Sequence, residues 1–416
     1  MKQPLSTTLG SRALNGSLFG LFRILFGSYL LWHFTSLLPY AEELFGYQTF
    51  FSHQHPSPYQ GIWPNPLFFA SSGVATGLIA IGSLASIFII SGRLRRSSAL
   101  YLWLLSSWLF TANPLIANPS LGYTGLLLAL FTIIPLGENF VLRKTPQPHW
   151  KLPAMIPVTA WSLLALGYTF SGIMKLDSPS WVDGSALQFV LENPLARPNL
   201  LRGVLLSLPE PLLKLLTWST LSLEILFLPL VLVRKFRPWV WLATLLMHLS
   251  IMLVIDFTDL SLGMLMIHLF TYQPCWLPAR AGQHILFIDG ECALCHQSSQ
   301  LLIRLDPAHA LSFSTLQGAT ARLHKIGSTD HEIKATTDAA ILLEDVDSDN
   351  PTRWEGPDAI LRALYLTGGL SSLLWPLHLL PDKWKQRTYQ AIASRRHRIS
   401  QVCPIPSPSN RQQFLP

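Results

Sequence analysis

The sequence predicts a mainly α protein: a polytopic membrane helical bundle of about eight spans, followed by a small α/β domain. Three observations carry that prediction. Half of the 416 residues are hydrophobic and only 13% are charged, about half the charge of an ordinary soluble protein. Long apolar runs fill the first two thirds of the chain, whereas charge is of normal density from Gln283 onward. Short loops between the runs hold clusters of Lys and Arg, the positive-inside pattern of membrane proteins. The net charge of +7 therefore belongs to membrane topology, and no nucleic-acid partner is expected.

The eight candidate spans centre on 18–38, 69–90, 99–115, 124–136, 153–173, 212–233, 239–255 and 260–277, against roughly 20 apolar residues needed to cross a bilayer. The first is too long for a cleaved signal peptide and no small-x-small site follows it. Basic residues follow every second span: Arg93, Arg95 and Arg96; Arg143, Lys144 and Lys151; Arg234, Lys235 and Arg237; then Arg280. With Lys2 and Arg12 cytoplasmic, all these loops share one side. The long loops 41–67 and 176–211 then face outward, with Arg197 and Arg202 as exceptions. An even span count returns the C-terminal domain to the cytoplasm. The expected location is an inner or plasma membrane, crossed many times, with the lipid bilayer as partner.

Desolvating a charge inside a membrane is costly, so ionisable residues in spans mark pairs or sites. Arg23, His33, Lys175, Lys214, Glu224, His248, Asp256, Asp259 and His268 are such residues. Arg23 and Glu224 suit a structural ion pair between spans, His248 a polar helix–helix contact, and Lys214 an interfacial lysine that snorkels to water. Lys175 stands apart at the apolar end of a span, in Tyr168-Thr169-Phe170-Ser171-Gly172-Ile173-Met174-Lys175-Leu176, followed by Trp181-Val182-Asp183-Gly184. A lysine held there can give up its proton near neutral pH and act as a base, because burial penalises the ammonium. Position alone also fits an interfacial anchor.

The pattern Tyr-x-x-Ser-Gly-x-x-Lys-Leu-x-x-x-x-Trp-x-x-Gly resembles the signature of vitamin K-dependent γ-carboxylase-like membrane domains, also called HTTM domains. Phe22 to Gly27, Leu223-Glu224, and His248 with Phe257 extend the resemblance over roughly residues 10–278. It implies that Lys175 is the base that deprotonates a reduced vitamin K-type quinol on the outer side. The chain departs from the family at Asn118-Pro119-Ser120, where the carboxylases carry Asn-His-x-Tyr, and no large lumenal domain is expected. These departures count against carboxylation of a protein and equally fit a relative that handles a quinone or lipid or one that only keeps the scaffold.

The C-terminal domain begins with His284 to Ile288 as a buried strand, closed by Asp289-Gly290, then Cys292-Ala293-Leu294-Cys295 and a helix over 296–305. Strand 311–314, helix 319–326, strand 339–343, a short hairpin and further helices follow. A βαβ start carrying Cys-x-x-Cys is the thioredoxin-like pattern. Free N–H groups at a helix start favour thiolate. Cys292 would attack a disulfide, Cys295 would resolve the mixed disulfide, and Asp289 would accept or relay a proton or simply form the turn. Two rival readings use the same cysteines: c-type haem attachment through Cys292-x-x-Cys295-His296, and zinc with Cys403 and His296, His378 or His397. The module resembles the DCC family of thiol-disulfide oxidoreductases, named for an Asp and two Cys. Asp289, Cys292 and Cys295 occupy those places, with later blocks at 356–361 and 389–398.

The expected domains are thus 1–281 in the membrane, 282–404 thioredoxin-like, and 405–416 as a disordered Pro- and Ser-rich tail. Three functions are open. One is a thiol-disulfide oxidoreductase acting on an unidentified thiol or disulfide partner protein, extended by coupling to a membrane quinone. A second is a carboxylase-like enzyme using Lys175 on a quinol or lipid. The third is a non-catalytic transporter or scaffold. No cofactor beyond a quinone or vitamin K-type quinol is expected. A hydrocarbon core of about 30 Å would separate Lys175 from Cys292 in this topology, so only a mobile quinone could link them.

Overall fold

The computed structural model describes residues 14–46, 57–69, 72–142, 147, 150–289, 293–306, 309–326, 340–348, 350–393 and 413–415. The chain divides into two compact units, up to Gln273 and from Pro274. The stretch from Pro274 to Ala281, placed with the membrane part by sequence, packs in the second unit: Arg280 N–H donates to Leu366 O at 2.9 Å and Gly369 N–H to Leu277 O at 2.6 Å.

The first unit is helical. Its main helices are α1 (Gly16–Leu37), α2 (Val74–Ser91), α3 (Arg95–Ala112), α4 (Pro119–Ile133), α5 (Met155–Lys175), α6 (Glu210–Ile225), α7 (Phe227–Leu232), α8 (Arg237–Val254) and α9 (Thr258–Thr271). Each expected apolar stretch overlaps one of these, except the sixth, which covers both α6 and α7. Starts follow local chemistry: Asn15 Oδ1 accepts from the N–H groups of Ser17 and Leu18, and Asn118 caps α4 with Pro119 at its first position.

The expected count of eight spans is coarser in the structure. Among the described residues four helices are long and apolar enough to cross a membrane: the run Gly16–Phe45, α2, α5 and α8. The other four fall short for physical reasons. α3 opens on Arg95 and Arg96, and α4 and α9 have only 15 and 14 residues. The sixth stretch breaks into α6 and α7 at Leu226. Pro229 has no N–H for Ile225 O, so the helix cannot continue. Thr169 Oγ1 of α5 fills the gap, lying 3.2 Å from Ile225 O and accepting from Leu228 N–H at 3.0 Å.

Arg23 and Glu224 do not pair with each other. Arg23 and Arg95, both fully buried, converge on Glu138 Oε1 at 3.3 and 3.0 Å. Their other N–H groups bond carbonyls at helix ends and in the loop after α4: Arg23 those of Ile89, Ile90 and Phe140, Arg95 those of Phe131, Ile134 and Pro135. Cations at helix C-termini meet the negative end of the dipole, which lets one carboxylate serve two guanidinium groups. Arg197 and Arg202, exceptions to the loop-charge pattern, are tied locally, Arg197 to Asp256 at 2.8 Å and Arg202 to Leu191 O. Lys214 pairs with Glu210 one turn earlier.

The second unit is a four-stranded mixed sheet of β1 (His284–Ile288), β2 (Leu311–Thr315), β3 (Ile341–Glu344) and β4 (Thr352–Glu355), in the order β2-β1-β3-β4. β1 and β2 are parallel, and β3 is antiparallel to both its neighbours. A parallel neighbour needs a crossover, supplied by α10 (Ala293–Leu305). All five residues of β1 are buried, as a central strand covered on both faces requires. Leu286 and Ile288 face a core with Leu302, Phe313, Leu342 and Leu366; Ile285 and Phe287 face Ala321, Ile326 and Leu343. α11 (Gly356–Leu366), a 3-10 stretch Gly369–Leu379 and α12 (Asp382–Ala393) complete the unit. The tail, expected to be disordered, ends in contact: Leu415 N–H donates to Phe313 O at 2.7 Å and Phe414 packs on Phe313. Residues 405–412 lie outside the described residues.

Arg362 ties this unit together. It grips Glu344 with two bonds of 2.8 and 2.7 Å and lies over the rings of Trp354, Tyr365 and Trp375. Burial pushes the Glu344 carboxyl up, but bonds from Arg362 and Trp354 outweigh it and hold the pKa below the ordinary 4.5. A depressed carboxyl pKa stabilises fully above the ordinary value, and the contribution is lost as pH falls through the lower folded value. Arg362→Ala should therefore lower amide-exchange protection in β3 and β4 of the full chain by about tenfold or more, from ~1.5–3 kcal/mol of charged hydrogen bonding. The deficit should shrink as pH falls below 4.5; a deficit independent of pH would show that packing rather than the ion pair is lost.

Candidate functional site

Each unit carries one candidate site. In the second unit, β1 ends at Ile288, whose C=O accepts from Leu316 N–H at 2.9 Å. The chain leaves the sheet at Asp289, whose Oδ1 accepts from Gln317 Nε2 at 3.1 Å just beyond the end of β2. Gln317 had no signal in the sequence, since its pairing depends on the β1–β2 register. α10 begins at Ala293, earlier than the 296 expected, so Cys295 lies in its first turn. Cys292, immediately before the helix in sequence, falls outside the described residues with Gly290, and so does the Cys295 side chain. Of the three residues expected at this junction, Asp289 is the one whose side chain is placed.

No cluster of three or more His, Cys, Asp or Glu side chains suited to a metal is present among the described residues. Of the zinc ligands weighed from sequence, His378 stacks on Trp375 with ring centroids 4.0 Å apart and bonds its backbone O through Nδ1. Cys403 and His397 lie outside the described residues. Cys275 is free and exposed.

In the first unit Lys175, the last residue of α5, meets Glu224 of α6. Lys175 Nζ donates to Glu224 Oε2 and, at 2.8 Å, to Ser171 Oγ, which in turn donates to Glu224 at 3.2 Å. The ammonium also lies 5.1 Å from the centre of the Trp181 ring. The sequence pattern around Lys175 has a local reason at nearly every place. Gly172 lets α6 approach: a Cβ there would lie 2.7 Å from Ile225 N and 3.0 Å from Glu224 Cβ. Gly184 turns the chain at φ +86, against Lys214 and Trp218. Tyr168 OH bonds His248 Nε2 at 2.7 Å and His268 Nε2 at 3.3 Å, so His248 makes the helix–helix contact expected of it. The Pro229 break, which ends α6 beside Thr169, holds Glu224 in the last turn facing Lys175.

Lys175 is thus ion-paired as well as half-buried at a span end. Any role as a base requires it to pass or share its proton through Glu224 or Ser171 first. A cavity of about 730 Å³ opens between α4 and α5 beside it. Its lining is mostly apolar, with Tyr123, Phe170, Met174 and Trp181 around Lys175 and Ser171. Glu224 was legible as a charge in a span, but its partner was not.

A further polar cluster joins α1, α4 and α9. Asp259 Oδ1 accepts from His33 Nδ1 at 2.7 Å and from Tyr29 OH at 3.1 Å, and Oδ2 accepts from Asn118 Nδ2 at 3.0 Å. Asp259 lies in the first turn of α9, where the helix dipole favours a carboxylate. Asn118 is here both a helix cap and a hydrogen-bond donor to this carboxylate.

Residues 286–402 match a family described as DCC1-like thiol-disulfide oxidoreductase, which supports a thiol–disulfide redox function for this part of the chain. The chain is 29% identical to the uncharacterized protein YuxK of Bacillus subtilis over 141 residues, 32% of this chain and 93% of that protein. No solved structure matches it.

Proposed function

We propose that this chain is a membrane-anchored thiol–disulfide oxidoreductase working through Cys292 and Cys295. The observation that carries the proposal is that, in sequence, the Cys-x-x-Cys stretch follows a fully buried central strand and runs into the first turn of a 13-residue helix. The sheet order β2-β1-β3-β4, with β3 reversed, supports a thioredoxin-like reading of the domain. At the helix start, unpaired N–H groups and the dipole lower the energy of a thiolate.

The Cys292 thiolate attacks one sulfur of the substrate disulfide, forming a mixed disulfide and releasing the other sulfur as a thiolate that takes up a proton. Cys295 then gives up its proton and attacks the Cys292 sulfur, which releases the second substrate thiol. Two electrons pass to the substrate and the enzyme is left as the Cys292–Cys295 disulfide. In this reading Asp289, anchored by Gln317, takes the Cys295 proton. The loop charges favour a cytoplasmic, reducing side for this domain. The test is to equilibrate the full chain with glutathione buffers and count free thiols by mass. Cys292 and Cys295 should titrate together as one two-electron couple. Independent titration, or cysteines that stay reduced in oxidised glutathione, would overturn the proposal.

One observation favours a second site of action. The Lys175–Glu224 pair at the edge of an apolar cavity suits a ring with ionisable hydroxyls, such as a quinone or vitamin K-type quinol, in line with the carboxylase-like resemblance. Electron passage between such a quinone and the cysteines would join the two activities. Gly122 lines the cavity and has open space around it. Gly122→Phe should therefore weaken binding of a short-chain naphthoquinone by about tenfold or more, ~1.4 kcal/mol, without loss of heat stability. Unchanged binding, followed by tryptophan quenching in detergent, would remove the quinone reading.

A further inference from the structure

The second unit does not distribute its exposed apolar side chains evenly. Among its described residues, every large exposed hydrophobic except Leu301 and Leu323 falls between 373 and 384: Leu373, Leu374, Leu377, Leu379, Leu380 and Trp384. They belong to the 3-10 stretch Gly369–Leu379, to Leu380 that follows it, and to the start of α12. We infer that this face seats the second unit on an anionic lipid surface.

Composition and charge say why the occupant is lipid. Several exposed leucines beside a tryptophan and unpaired cations form an interfacial surface, with apolar side chains below the headgroups and Trp at their level. Lys383 and Arg387 are both exposed and have no ion-pair partner among the described residues. They lie four apart on one side of α12, and Arg387 is three residues from Trp384, on a neighbouring part of the helix surface. Each is worth about 1 kcal/mol near an anionic membrane. Lys385 is excluded from this set because Asp358 and Asp382 already hold it.

The backbone tethers the same face. Gly369 N–H bonds Leu277 O, and a Cβ on Gly368 would lie 2.5 Å from Ala279 N, so the stretch that follows α9 is clamped to the start of the leucine-rich segment. The apolar helices of the first unit suggest that it is embedded in a membrane. The inference rests on that membrane reading but not on the redox chemistry.

The experiment uses the full chain in nanodiscs containing phosphatidylglycerol, with Cys275, Cys292, Cys295 and Cys403 changed to serine. One fluorescent label is attached through Leu377→Cys, Leu379→Cys or, as a control, Leu323→Cys. Lipids carrying a nitroxide on an upper acyl carbon should quench the 377 and 379 labels about twofold or more relative to label 323. Adding Lys383→Glu and Arg387→Glu, or using zwitterionic lipid alone, should reduce that quenching. Co-elution with the discs reports membrane insertion separately. A chain that enters the discs with labels 377 and 379 no more quenched than 323 overturns the docking and leaves insertion standing. Labels shielded from aqueous iodide but untouched by the nitroxide would mean that protein, such as a second copy, covers the face, which also overturns it. A chain that never enters the discs removes both.

Discussion

Cys292→Ser should bring disulfide reduction by the full chain down to the uncatalysed background, a loss of about a thousandfold or ~4 kcal/mol of barrier. Serine keeps the size of the side chain but cannot form the sulfur–sulfur bond on which the exchange depends. Cys295→Ser should behave differently. The first attack survives and the resolving step does not, so a mixed disulfide through Cys292 should accumulate on a non-reducing gel. The pair of outcomes separates a working dithiol from two structural cysteines. If Cys292→Ser retains more than about a tenth of the rate, or if Cys295→Ser traps nothing, the oxidoreductase reading fails. Asp289 refines the test. Asp289→Asn keeps a hydrogen-bonding partner for Gln317 while removing the proton acceptor, so it should slow resolution more than attack.

Glu138→Ala should be among the most damaging single changes in the first unit. Arg23 and Arg95 share this one carboxylate, and all three side chains are buried. Removing one partner from a buried pair costs about 3–5 kcal/mol, because the charge left behind is neither hydrated nor balanced. Here two guanidinium groups would be left facing each other. The helix-end carbonyls would still hold them in place, so the strain would appear as helix separation. Heating the detergent-solubilised chain and following the monodisperse fraction should show an earlier loss for Glu138→Ala than for Glu210→Ala, which breaks an exposed pair within one helix turn. Equal losses would mean that the carbonyl contacts alone secure the arginines.

Much of the fold was legible because it depends on periodicity and local punctuation. Eight apolar stretches and the strand–helix order of the second unit lie where their patterns put them. The span count was less secure, since length, opening arginines and the Pro229 break decide whether an apolar stretch can cross. Partners were least legible. Arg23 meets Glu138 and Lys175 meets Glu224 through contacts between distant segments, and a single sequence offers no register for helices packed side by side. Gln317 and the return of Phe414 to the sheet were hidden for the same reason. Lys175 was visible because its reasons are nearly all local: Ser171 one turn back, Gly172 clearing space, and Trp181 in the next turn of chain.

The shared carboxylate also constrains synthesis. Arg23 and Arg95 leave the ribosome well before Glu138, and at about 5–20 residues per second they wait some seconds for their counter-charge. During that interval α1 to α3 hold two cations that the finished bundle will bury. The early helices must therefore remain loosely associated, or sheltered by the insertion machinery, until Glu138 emerges. A chain that stalls before that point is a substrate for quality control.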